Sequence, residues 1–124
     1  MGYTLLHLAP RFHEPLLRDV RRVLRSDGTL TVGEVDMDLV MCRWLADPTD
    51  TRCAELIWGE QANWVSGELI EGLEPFDKHC QGFTEASLRN LLEINGFEVM
   101  ERIRIHCVEV WYELTLRCKK GSHA

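Results

Sequence analysis

Between Glu14 and Asp36 the chain reads EPLLRDVRRVLRSDGTLTVGEVD, and its apolar positions change period once. Leu16, Leu17, Val20, Val23 and Leu24 fall at i, i+1, i+4, i+7 and i+8, one stripe of a helix. Arg18, Asp19, Arg21, Arg22 and Arg25 take the opposite face, which predicts a solvated, charged side. Pro15 suits the first helical position because it has no N–H to leave unpaired, and Glu14 adds a carboxylate at the positive end of the helix dipole. Ser26-Asp27-Gly28 ends the pattern, with Gly28 expected as a left-handed cap. Thr29 to Asp36 then reads as a buried strand. A helix followed so closely by such a strand is the second half of a βαβ unit, which predicts a parallel sheet with the helix on one face.

The flanking segments have weaker patterns. Met1 to Ala9 opens with the apolar run Tyr3 to Leu8, the stub of a strand or the turn just after one. Asp38 to Ala46 predicts a short helix in which Leu39, Val40, Trp44 and Leu45 can pack, with Asp38 as N-cap or first-turn carboxylate. Asp47-Pro48-Thr49 breaks it. Thr51 to Trp58 predicts another, with Cys53, Ala54, Ile57 and Trp58 inward and Gly59 as its end. Residues 63–80 show no clear period, contain Gly67, Gly72 and Pro75, and read as a long loop or lid with room for one helical turn. Thr84 is a good N-cap for a helix to about Ile94, whose apolar side is Ala86, Leu88, Leu91, Leu92 and Ile94. Asn95-Gly96 caps that helix, Gly96 turning through a left-handed conformation. Phe97 to Cys118 alternates as two antiparallel strands with a reversal near His106 to Glu109.

Composition narrows the class. A chain of 124 residues with 45% hydrophobic and 27% charged residues makes one ordinary globular domain, short for a complete nucleotide-binding α/β enzyme. The net charge of −6, from 20 acidic and 14 basic residues, argues against a nucleic-acid surface. The five cysteines, Cys42, Cys53, Cys80, Cys107 and Cys118, are widely spaced and odd in number, with neither a C-x-x-C pair nor zinc-type spacing. Free thiols in a reducing cytoplasm are the better reading. No signal peptide and no apolar run of about 18 residues is present, so no membrane segment is expected. Residues 119–124 read as a tail.

Four pieces of the sequence, in order, carry a family resemblance. The first is LLHLAPRFHEPLLRDVRRVLRSDGTLTVGEVD, with the turn Arg22-Val23-Leu24-Arg25-Ser26-Asp27-Gly28. The others are Ile57-Trp58-Gly59-Glu60-Gln61, then Asp77-Lys78-His79 with Gly82-Phe83-Thr84, then Leu88-x-x-Leu91-Leu92-x-x-x-Gly96-Phe97. Together they resemble class I S-adenosylmethionine-dependent methyltransferases, in which a histidine-bearing loop after the fourth strand leads through a helix and an "RVLRPGG" turn into the fifth. The order is similar to a subgroup of predicted methyltransferases with "YGGQ", "D-x-H" and "L-x-x-LL-x-x-x-GF" motifs. Ser26-Asp27 stands where Pro-Gly is usual.

The resemblance implies an α/β chain with a partial Rossmann-like methyltransferase fold: a three-stranded mixed sheet in the order 5-7-6, the last strand antiparallel, with flanking helices. It also implies an S-adenosylmethionine site in a first half that this sequence does not contain. No G-x-G-x-x-G turn or shortened version occurs, and Gly28 and Gly33 stand alone. The expectation is therefore a substrate-side half, starting at or just after the fourth strand, inactive by itself, using S-adenosylmethionine only if the missing half is supplied. A non-catalytic dimerisation or regulatory module derived from that fold is the alternative.

Ligands of open α/β sheets bind beyond the carboxyl ends of the parallel strands. Here that edge carries Glu34, Asp36 and the loops holding His7 and Asp77 to His79. His79 and His7 are the candidate bases or substrate contacts, and Asp36, Glu34, Gln61 and Asp77 the candidate substrate contacts. His7 is equally readable as a half-buried histidine bonded to backbone, and Asp77-x-His79 as a loop pair capping the next helix. Gln61, Glu60 and Asn63 beside Trp58 and Trp64 suit a small-molecule pocket, or the core of a lid. Without a fourth strand, the fifth exposes a hydrogen-bonding edge. The N-terminal run folding back, a homodimer, or a docked N-terminal partner half would each cover it, and a homodimer is the expected solution.

Overall fold

A computed structural model describes residues 1–59, 63–72, 78–104 and 111–122, with backbone alone at 63–65. Two 3-10 turns, Leu5–His7 and Pro10–Phe12, lead into α1 (His13–Val23) and β1 (Thr29–Val35). Then come α2 (Met37–Ala46), α3 (Thr51–Trp58), a small hairpin of β2 (Asn63–Val65) and β3 (Glu68–Ile70), α4 (Glu85–Ile94), β4 (Phe97–Ile103) and β5 (Glu113–Lys120).

The main sheet has the order β1-β5-β4, and both ladders are antiparallel. The last strand thus inserts between two strands that run the same way, the 5-7-6 arrangement expected from the resemblance. The parallel partner expected beside β1 is reduced to one bridge, Gly2 to Gly33. There Met1 N donates to Thr31 O at 2.7 Å, Gly33 N to Met1 O at 2.9 Å and Tyr3 N to Gly33 O at 2.7 Å. The N-terminal run therefore does fold back over part of the β1 edge.

One face of this sheet is dry. Val32, Leu114, Leu116 and Cys118 meet Leu17 of α1 and Leu88 and Leu92 of α4 in the main core. A smaller cluster, Leu6, Val35, Val40 and Cys53, sits where β1 runs into α2 and α3. Cys42, Cys53, Cys80 and Cys118 are free thiols, and burial raises that of Cys118 to about 11. Among the described residues no helix is long and apolar enough to cross a membrane, and no group of three metal-ligating side chains occurs.

Local details depart from the pattern. The helix α1 begins at His13, two residues early, because the 3-10 turn at Pro10 already sets the chain, and Pro15 remains within the first turn where no N–H is missed. It stops at Val23, leaving that side chain 67% exposed instead of in the apolar stripe. Gly28 is not a left-handed cap: a Cβ there would lie 2.9 Å from Leu24 Cδ1 and 3.0 Å from Arg25 O, so close approach is what requires glycine. Asp38 is the first-turn carboxylate of α2 and Asp36 its N-cap, and Leu39 and Leu45 face outward with Val40 inward. Trp58 and Ile94 are likewise exposed.

Within the expected loop, residues 63–70 form the hairpin, turned by Ser66 (φ 52°) and Gly67 (φ 81°), the positive-φ pair of a tight hairpin loop. The boundaries of α3, the Thr84 cap of α4 and the left-handed Gly96 (φ 87°) follow the pattern. The strand reversal near His106 to Glu109 lies outside the described residues.

Candidate functional site

The turn Leu5–His7 is tied from three directions. His13 Nε2 donates to Leu5 O at 2.7 Å and approaches Leu8 O at 3.1 Å. Cys80 N and Gln81 N donate to Leu6 O at 2.5 and 3.3 Å. Leu5 N donates to Glu34 Oε1 at 3.1 Å, and Leu6 N reaches the same carboxylate. These ties carry His7 to residues 78–80, where Lys78 O lies 3.1 Å from its Nδ1.

His79 is held the same way from the other side. Its N–H donates to Trp58 O at 2.9 Å, and its Nδ1 lies 2.8 Å from Leu56 O, both at the carboxyl end of α3. The two imidazoles meet edge to face with centroids 4.9 Å apart. A carbonyl accepts only from N–H, so each ring carries its proton on Nδ1, and in the neutral ring Nε2 holds the lone pair. Two histidines from distant parts of the chain thus share one tautomer at one point, a suitable arrangement for accepting a proton or orienting a polar ligand.

Asp36 and Glu34 are drawn inward. Asp36 is 1% exposed: Oδ1 accepts from Asp38 N at 3.1 Å and Leu39 N at 3.4 Å, while Oδ2 takes Arg102 Nη2 at 2.6 Å. Arg102 Nη1 continues to Glu85 Oε1 at 3.0 Å, and that hydrogen bond holds the Glu85 carboxyl below its usual range. Both Asp36 oxygens are thereby engaged in holding α2 to the sheet. Glu34 is 0% exposed, on the same face of β1 as Val32, and its Oε2 is buried without a hydrogen-bond partner among the described residues. Burial pushes its carboxyl up from 4.5 to about 7, against the N–H groups of Leu5 and Leu6 that favour the ionised form. Nearby, burial and then Glu113 raise the Tyr3 hydroxyl well above its ordinary value.

Gln61 and Asp77, with Glu60, lie outside the described residues. Trp58 is half exposed and stands edge-on to Trp44 with centroids 5.9 Å apart. Arg102 was not legible as a partner of Asp36, because the two are 66 positions apart with nothing local to link them. Glu34 did carry a signal: alternation places it two residues beyond Val32, on the core side of the strand.

The order β1-β5-β4 with flanking helices defines the class: an α/β chain with a methyltransferase-like fold. The crystal structure of a SAM-dependent methyltransferase from Methanosarcina mazei matches it with a TM-score of 0.55 at 21% identity, over 98% of this chain and 57% of that one. The chain therefore spans a little over half the length of that protein, and the likeness is one of fold. No family model matches the sequence, and no curated protein matches it significantly.

Proposed function

We propose that these residues form the substrate-side half of an S-adenosylmethionine-dependent methyltransferase fold, with the paired His7 and His79 as its polar contacts for a small methyl acceptor. The carrying observation is the pair itself: rings 4.9 Å apart, each Nδ1 bonded to a carbonyl, beyond the carboxyl end of β1. The RVLRSDG turn and the order of the downstream motifs support the same reading, as do the free thiols for a reducing cytoplasm.

In this reading the cofactor is held outside this half, and three of the described glycines are closely approached by the chain's own atoms: Gly28 by Leu24, Gly33 by Glu113 and Thr115, Gly82 by Met37, while Gly2, Gly67 and Gly72 face open space. S-adenosylmethionine, whose sulfonium would supply the methyl group, is in this reading held by a cofactor half outside these residues. The role left to His7 and His79 is to orient the acceptor and take its proton. Calorimetric titration of the purified chain with S-adenosylhomocysteine tests this. The expected result is no binding at millimolar ligand, and binding once a cofactor half is added. Absence of binding with every such half supplied, and no change on His79→Ala, would sink the proposal.

A second reading, a non-catalytic dimerisation module, draws on a different surface. Met41, Trp44, Leu45, Pro48 and Ile57 line an open apolar groove of about 510 Å³ between α2 and α3, and Leu45 is 84% exposed. A homodimer by light scattering that Leu45→Glu converts to monomer would favour it, and a monomer at high micromolar concentration would remove it.

A further inference from the structure

Glu34 is a buried carboxylate that the reading above does not use. It lies on the core face of β1 at 0% exposure, and the polar groups it holds are the N–H of Leu5 and of Leu6. Those two residues are the first two of the three-residue turn whose last member is His7. On the opposite side of that turn the carbonyls of Leu5 and Leu6 are taken by His13 and by the backbone of Cys80 and Gln81. The N–H side rests on Glu34.

We propose that Glu34 is a positioning residue for His7: by accepting from Leu5 and Leu6 it sets the turn that brings His7 against His79, and its ionisation loosens that turn. The inference rests on the reading of the histidine pair as the site, and deepens it by adding a control over the pair's geometry.

A carboxylate enclosed on an apolar face is costly when charged, and two N–H bonds only partly offset that cost. The charged and titratable groups that act on it are the Met1 amino group and Tyr3 on the N-terminal segment; His13 of α1 lies behind the turn, and Glu113 with Tyr112 act on Tyr3 from the other face of the sheet. Of these the Met1 amino group favours its ionised form, and burial outweighs it. With its carboxyl held near 7, Glu34 is mostly neutral in mild acid and ionised in mild base. Peeling the N-terminal turn away would let water reach the carboxylate, so rising pH favours the open turn.

The experiment follows solvent exchange of the Leu5 and Leu6 amides by NMR, corrected for intrinsic exchange, with the ring-to-ring Overhauser contact of His7 and His79. From about pH 5 to about pH 8 the wild-type protection should fall at least about tenfold, while the amides of Leu88 and Leu116 hold. In Glu34→Gln, which keeps an acceptor and cannot ionise, the ring contact should persist and the pH dependence should vanish. In Glu34→Ala the ring contact should be lost at every pH. An identical pH dependence in wild type and Glu34→Gln, or an intact ring contact in Glu34→Ala, would overturn the proposal. If Glu34→Ala fails to fold, the Glu34→Gln comparison decides alone. These readouts need no methyl transfer, so failure of S-adenosylhomocysteine to bind even with a cofactor half supplied would remove the functional reading and leave this result standing.

Discussion

Arg102 of β4 reaches over the central strand β5 to Asp36 at the end of β1, its Nη2 2.6 Å from the aspartate Oδ2. The same aspartate caps α2 with its other oxygen, so one side chain couples the far strand of the sheet to the start of a helix. The guanidinium is 15% exposed and the carboxylate 2%, which makes this a shielded pair, unlike the exposed pairs of Arg18 with Glu14 and Arg22 with Asp19.

Asp36→Ala should therefore destabilise the chain by about 3 kcal/mol, since it strands a shielded Arg102 and removes a helix cap together. Asp36→Asn, which keeps the cap and loses the charge, should cost less. Urea unfolding followed by circular dichroism measures both. A loss below about 0.5 kcal/mol for the alanine variant would mean that the pair is relaxed in solution.

The Glu34 carboxyl, raised from 4.5 to about 7, predicts the sign of one pH effect. A group whose folded value is raised contributes most below its unfolded value and loses that contribution as pH rises through its folded value. Wild type should lose up to about 3 kcal/mol relative to Glu34→Gln between about pH 4.5 and pH 7, and nothing further above it. Chemical denaturation of both proteins across that range gives the difference directly. A difference that grows toward acid would contradict the assignment.

Thr84 Oγ1 accepts from Ser87 N at 3.1 Å while Ser87 Oγ accepts from Thr84 N at 3.0 Å, a reciprocal cap on α4. Thr84→Ala should cost about 1 kcal/mol, and Thr84→Ser should restore most of it. Thermal unfolding under matched conditions distinguishes the two.

Gly28→Ala should destabilise by about 1 kcal/mol despite acceptable dihedrals, because the new methyl meets Leu24 and the Arg25 carbonyl. Pairing it with Leu24→Ala tests the cause. The double variant should cost less than the sum if Leu24 is the obstruction.

Much of this architecture is written in local pattern. Thr84 and Asn95-Gly96 bracket α4 with side-chain chemistry that acts within four residues, so the helix was readable at both ends. Val23 and Leu45 were misread for one reason: periodicity assigns a side to a helix but cannot say how far the neighbouring elements extend to cover it. Arg21 shows the same limit. It sits on the charged stripe of α1, yet its guanidinium donates to Gly96 O at 3.1 Å and Gly121 O at 2.8 Å, carbonyls supplied by remote strand ends.

For the site, His7 and His79 were each identifiable as candidates, and neither could be placed against the other. Their meeting depends on Leu6 O accepting from Cys80 N, a contact across more than 70 positions that no spacing rule encodes.

By itself the sequence determined the order and type of most helices and strands and the α/β class, because propensity, capping and alternation are short-range forces, while the 5-7-6 order was implied by the family resemblance. Tertiary structure alone decided which polar groups are buried and what they hold: Asp36 against Arg102, Glu34 against Leu5, and one histidine beside the other. Burial and charge pairing are set by what the rest of the chain brings near, and that is fixed only when the whole core closes.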